Sequence, residues 1–219
     1  MQRMKIGAGA LVLVGLVCGP AAAQLIPEMA RKQLAHSLQG PFVVFRAKAQ
    51  EDLKLSDEQK EKVDQHLKEL LPDVMQFFQK IDGLEGAERE KELKTYRPMM
   101  QEKLTEALKD TLKEDQRKRL RQLGLQQEGV FALMHGDSNI GKDLKITDEQ
   151  RKRFMTVIQD MQKKIEPLAK EAKSGGDPQA IWPKMMKVRG EHEARIVNLL
   201  TDSQKKQWRE MVGKALPLD

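Results

Sequence analysis

The stretch Asp52–Val63 reads DLKLSDEQKEKV, and 91 positions later Asp143–Phe154 reads DLKITDEQRKRF. Two further echoes keep nearly the same spacing and the same order. Leu112–Lys118 (LKEDQRK) returns 88 positions on as Leu200–Lys206 (LTDSQKK), and Gly40–Val44 (GPFVV) returns as Gly129–Leu133 (GVFAL). Ordered echoes at one offset mean an internal duplication, with one unit from about Gly40 to Leu123 and another from about Gly129 to Gly213. A weaker match of Arg31–Leu34 to Arg117–Leu120 suggests a partial third copy of the closing element.

The repeated phrase is a helix start. In Ser56–Gln59, Thr147–Gln150 and Thr201–Gln204 a hydroxyl residue stands three places before a glutamine. The hydroxyl can accept the third backbone N–H of the helix while the glutamine side chain reaches back to the N–H of the cap. Each such cap is worth about 1 kcal/mol, the expected cost of Thr147→Ala. The apolar residue before the cap, Leu55, Ile146 or Leu200, faces Lys60, Arg151 or Lys205 at the position of a hydrophobic staple, so it must pack against another helix. In the fourth copy Lys113 replaces the hydroxyl. Either that helix continues from the one before it, or it starts at Thr111 with Glu114 as box partner.

Apolar residues beyond the caps recur at spacings of three and four. Val63, Leu67, Leu70 and Val74 mark one long amphipathic helix, and Phe154, Ile158, Met161 and Ile165 mark its counterpart. Pro72 and Pro167 lie inside them and are expected to bend them. Turn-like stretches at Asp82–Gly86 and Ser174–Pro178 lead into second helices, with faces at Leu93, Tyr96, Met100 and Leu104 and at Ile181, Met185, His192 and Ile196. The expected fold is all-α: two tandem helical-hairpin units with bent long helices, over 40–123 and 124–219, after a helical segment at 24–39.

Residues 1–23 read as a secretory signal. Arg3 and Lys5 precede an apolar run from Ile6 to Val17, and Ala21-Ala22-Ala23 supplies the small-residue cleavage pattern. The run is shorter than the roughly 20 residues of a spanning helix. Cleavage after Ala23 removes Cys18, the one cysteine, and leaves a mature chain without thiols, periplasmic or secreted. It also removes two of the 39 basic residues, leaving 37 against 33 acids. A mature net charge of +4 with 4% aromatic residues does not argue for nucleic acid.

The motif residues Leu55-Ser56-Asp57-Glu58-Gln59, Ile146-Thr147-Asp148-Glu149-Gln150, Leu200-Thr201-Asp202-Ser203-Gln204 and the imperfect Leu112-Lys113-Glu114-Asp115-Gln116 resemble those of the Spy/CpxP-like periplasmic helical proteins, named for a paired LTxxQ motif. The resemblance covers most of the mature chain, which departs from the usual pattern by carrying two motif pairs. It implies a non-enzymatic envelope protein: an ATP-independent chaperone, a partner that restrains an envelope-stress sensor, or a metal-binding or metal-sensing protein. Family members typically form homodimers. A duplicated chain could build the same arrangement internally, so monomer and homodimer both stand.

Candidate client-binding residues are the basic runs Arg117, Lys118, Arg119 and Arg121, then Arg151, Lys152 and Arg153, then Lys205 and Lys206, beside the adaptable methionines Met99, Met100, Met185 and Met186. Unfolded or envelope proteins would be the clients. The plainer alternative is that the charges are solvated faces and the methionines core. No metal, cofactor or catalytic residue is assigned. His36, His66, His135 and His192 are scattered, and the carboxylates flanking His192 in Glu191-His192-Glu193 point to different helix faces. Thioethers leave copper(I) open without a ligand set. No nucleophile elbow, phosphate loop or acid-base constellation is present.

Overall fold

The computed structural model describes residues 26–84, 86–134 and 139–217; the expected signal over 1–23, with Cys18, and His135 lie outside these. The described residues are helical, without strands, and fall into two compact units. The first runs to Gln127 and takes in the C-terminal stretch from Lys214; the second is Glu128–Gly213. The division therefore falls four residues after the boundary expected at 123, and the described part of the segment 24–39, from residue 26, belongs with the first unit.

The first unit contains α1 (Glu28–Leu38), a 3-10 segment (Gly40–Phe45), α2 (Ala47–Asp52), α3 (Asp57–Lys80), α4 (Gly86–Ala107) and most of α5 (Glu114–Glu128). Its core is built around the 3-10 segment, where Phe42 and Phe45 meet edge to face at 5.8 Å. Val63 and Leu67 of α3, Met100 and Leu104 of α4, and Leu34, Ala35 and Leu38 of α1 close around them. α1 bridges the two long helices. Arg31 forms a forked ion pair with Asp64 of α3 at 2.6 and 3.1 Å, while Arg97 and Gln101 of α4 donate to the carbonyls of Ser37 and Leu38 at 2.8 and 2.7 Å. The last carbonyls of a helix have no partner within it, so these two side chains supply what α1 lacks. Gly124 of α5 lies against the backbone of Gly40: a Cβ there would come within 3.0 Å of the Gly40 carbonyl oxygen.

The second unit contains the 3-10 segment Gly129–Leu133, α6 (Asn139–Asp143), α7 (Asp148–Lys173), α8 (Pro178–Asn198) and α9 (Asp202–Val212). α7 and α8 pack along one another, and α8 also meets the 3-10 segment, where the Arg189 guanidinium sits 5.7 Å from the Phe131 ring centre. Phe154, Val157, Ile158 and Met161 are buried on α7; beyond Met161, Ile165 and Leu168 are only half-buried. The corresponding stretch of the first unit is better filled, because Phe77 of α3 stacks face to face on Tyr96 of α4 with ring centres 3.6 Å apart. Burial, with the charge of Asp73 added, pushes the Tyr96 phenol up to about 12.

α3 and α7 run through Pro72 and Pro167 without interruption, and α4 and α8 likewise contain Pro98 and Pro183. The expected turns follow: Gly83 at φ 86° closes α3 and Gly175 at φ 91° closes α7, left-handed conformations that glycine adopts at no steric cost. No helix of the described residues is long and apolar enough to cross a membrane.

Candidate functional site

The repeated phrase forms a corner with two halves. Its first half ends a helix. The N–H of Leu55 reaches the Gln50 carbonyl and that of Lys54 reaches Glu51; Ile146 and Lys145 repeat this with Gly141 and Lys142. This is the Schellman pattern, with the left-handed position filled by Lys54 (φ 50°) and Lys145 (φ 52°) in place of glycine. The second half starts the next helix. Complete capping boxes form at Ser56/Gln59, Thr147/Gln150 and Thr201/Gln204. At the fourth site the helix neither continues α4 nor starts at Thr111. It begins at Glu114, and the Lys113 backbone N–H donates to Gln116 Oε1 at 2.9 Å, so the glutamine half of the box works without a hydroxyl. Leu55, Leu112, Ile146 and Leu200 are all buried, as the missing local staple requires.

The glutamines do more than cap. Gln59 Nε2 donates to Gln116 Oε1 at 2.8 Å while Gln116 Nε2 donates back to Gln59 Oε1 at 3.1 Å; Gln150 and Gln204 form the same reciprocal pair at 2.8 and 3.1 Å. Each amide spends its second donor on a carbonyl of the opposite corner: Gln59 on Thr111, Gln116 on Leu53, Gln150 on Leu199, Gln204 on Leu144. Each oxygen also accepts the N–H of its own cap residue. Two donors and two acceptors are the full capacity of an amide, and all four glutamines reach it. The paired motif is thus a symmetric clasp between the start of the long helix and the start of the closing helix.

The basic runs divide into structural and surface residues. Arg117 donates to the carbonyls of Lys109 and Leu112 at 2.8 Å, satisfying the chain after α4, and Arg119 makes a forked pair with Asp52 at 2.6 and 3.3 Å. Arg153 pairs with Glu149, Lys205 lies 3.9 Å from Asp202, and half-buried Arg151 lies against Gly141. Lys118, Arg121, Lys152 and Lys206 are exposed. Among the methionines, Met99 and Met186 are exposed, Met185 is half-buried, and Met100 is a core residue, which removes it from any surface. Among the described residues, three large exposed apolar side chains lie outside the sequence candidates: Met29, Met155 and, at 63% exposure, Trp182. Trp182 directly follows Ile181, a position on the apolar face of α8, and its place off that face was the available signal.

The described histidines do not gather. His36 is exposed and His66 meets the Thr111 hydroxyl at 2.9 Å. Buried His192 contacts the Val188 carbonyl at 2.6 Å and Asp160 Oδ2 at 3.1 Å, away from both glutamates beside it in sequence. Both facing atoms are oxygens that accept hydrogen bonds. Arg195, then His192 and Lys164, hold the Asp160 carboxyl well below the usual carboxylate range. Among the described residues no group of three or more His, Cys, Asp or Glu is placed to hold a metal ion. No family model, curated protein or solved structure matches the chain.

Proposed function

We propose that the chain is an extracytoplasmic helical binding protein that holds non-native envelope proteins without nucleotide, in the manner of the Spy/CpxP-like chaperones its motifs resemble. One observation carries this reading: α8 exposes Trp182 and Met186 and α7 exposes Met155, large apolar side chains on a helical surface rich in lysine. Exposed apolar area of this kind marks interaction sites, and methionine adapts to differing partners. The exposed Lys152 and other basic residues would speed the capture of acidic clients. The clasps support the reading by holding the ends of α7 and α8 fixed while their surfaces stay open. Residues 24–219, added without ATP to an aggregating client, should suppress light scattering near equimolar ratio, with suppression weakened by salt. Unchanged scattering at several-fold excess would set this reading aside.

A further inference from the structure

Beyond α9 the described residues form no further helix, yet Lys214–Pro217 is part of the first unit. Gly213 at φ 66° turns the chain off the end of α9. Gln126 of α5 then holds it: Nε2 donates to the Lys214 carbonyl at 2.7 Å, and Oε1 accepts the Leu216 N–H at 2.9 Å. A carbonyl and an N–H two residues apart are what one residue of a parallel β-strand pairs with, so a single side-chain amide supplies one rung of a ladder. Lys48 donates to the Pro217 carbonyl at 3.3 Å, and half-buried Leu216 packs against the core of the first unit. Lys214, Ala215 and Pro217 are exposed.

These contacts define what the site reads. The three hydrogen bonds go to main-chain atoms and are indifferent to sequence, while Leu216 supplies the one side chain that is covered. Pro217 acts on the backbone: a residue before proline is held out of the helical region, which keeps Leu216 in the non-helical form that the amide requires. This is the chemistry of strand addition, in which main-chain bonds give affinity and an apolar pocket gives selectivity.

We infer that Gln126, Lys48 and the apolar surface under Leu216 form a peptide-binding site of the first unit, filled at rest by the chain's own Lys214–Pro217 and open to a client segment of the same chemistry: non-helical, with leucine ahead of proline. The proposal rests on reading the chain as a holder of non-native proteins, and it names the form of the segment held and an internal competitor for it. Two of the three bonds lie at exposed positions, so local opening is cheap. The covalent tether gives the internal segment an effective concentration on the order of millimolar. A foreign segment therefore wins where the internal one is weakened or where the client adds further contacts.

The probe is a fluorescein-labelled peptide of Lys214–Asp219, followed by anisotropy with residues 24–219 carrying Leu216→Ser, which empties the site and leaves its walls intact. The peptide should bind this chain saturably and at least about tenfold more tightly than the parent, whose site is filled. Adding Gln126→Ala should weaken binding about tenfold through the loss of two hydrogen bonds, and the peptide carrying Leu216→Ser should not bind. Position 216 lies outside the helices, so the variant should keep the circular dichroism of the parent. A second measurement needs no variant. Unlabelled peptide at about 10 mM, above the tethered concentration, should speed hydrogen exchange at the Leu216 amide of the parent, because the displaced segment loses its acceptor. No binding to the Leu216→Ser chain at about 1 mM peptide, equal binding by the Leu216→Ser peptide, or indifference to Gln126→Ala would each overturn the proposal. Client suppression that persists in those cases would leave the general binding reading intact, whereas peptide binding by a chain that suppresses no aggregation would keep the site and remove the chaperone.

Discussion

Gln204→Glu separates a capping role from a clasp. If the motif glutamine acted only as the third residue of a capping box, glutamate would serve as well and would gain slightly from the helix dipole. In the clasp, Gln204 Nε2 donates to Leu144 O at 3.0 Å and to Gln150 Oε1 at 3.1 Å. The introduced carboxylate would present an acceptor to two acceptors at a position only 8% exposed. Each buried group left without its partner costs about 1–3 kcal/mol, so a loss of about 3 kcal/mol is expected. Urea unfolding followed by tryptophan fluorescence reads this directly, because Trp208 is buried in α9 and the first unit has no tryptophan. With a slope of about 1.5 kcal/mol/M the midpoint should fall by about 2 M. Acidification should reduce the deficit by restoring one donor. Thr201→Ala, which removes only the hydroxyl half of the box, should cost about 1 kcal/mol. A Gln204→Glu protein within about 0.5 kcal/mol of the parent would refute the clasp, since a surface change away from such features has effects of that size.

Three further outcomes follow from local geometry. Gly124→Ala should destabilise the first unit by about 1–3 kcal/mol in thermal unfolding by circular dichroism, because its Cβ meets the Gly40 backbone; helix propensity alone predicts a gain, so a stabilised variant would contradict the close approach. Lys145→Gly should raise the stability of the second unit by up to about 1 kcal/mol while Lys145→Ala should not, since only glycine relieves the left-handed backbone; equal effects would remove that account. Tyr96, the single tyrosine, should show no phenolate absorbance until the pH approaches 12, and because its folded value is raised, the stability it contributes is present below about pH 10 and is lost above it. Titration near 10 in the folded protein would contradict its burial against Phe77.

The helices and three of their starts were legible because a cap is a local device: Ser56 and Gln59 satisfy each other within one turn. The fourth start was not, since Gln116 works without a hydroxyl and its setting is completed by Gln59, 57 residues away. The end of α2 was hidden for a different reason. A lysine at a left-handed position gives no composition signal, and only the repetition of Asp-Leu-Lys before Ser56 and Thr147 hinted that the phrase begins before its serine or threonine. Charge runs read from sequence mixed two kinds of residue. Arg117 and Arg119 point inward to carbonyls and to Asp52, while Lys118 and Arg121 between and beyond them face water. The helical period separates these, but only once the buried side of α5 is fixed by Gln116, Leu120 and Leu123. Trp182 and Met155 were missed because exposure of an apolar residue depends on what fails to cover it, which no local pattern in the sequence records.

The claim that the open flank of α7 and α8 does the binding is tested most directly by light scattering of an aggregating client with the parent chain and with Trp182→Ser/Met186→Ser, at equal concentration and without nucleotide. Both positions are exposed, so the urea midpoint should hold while suppression falls severalfold. Full suppression by the doubly substituted protein, with its fold intact, would contradict the account.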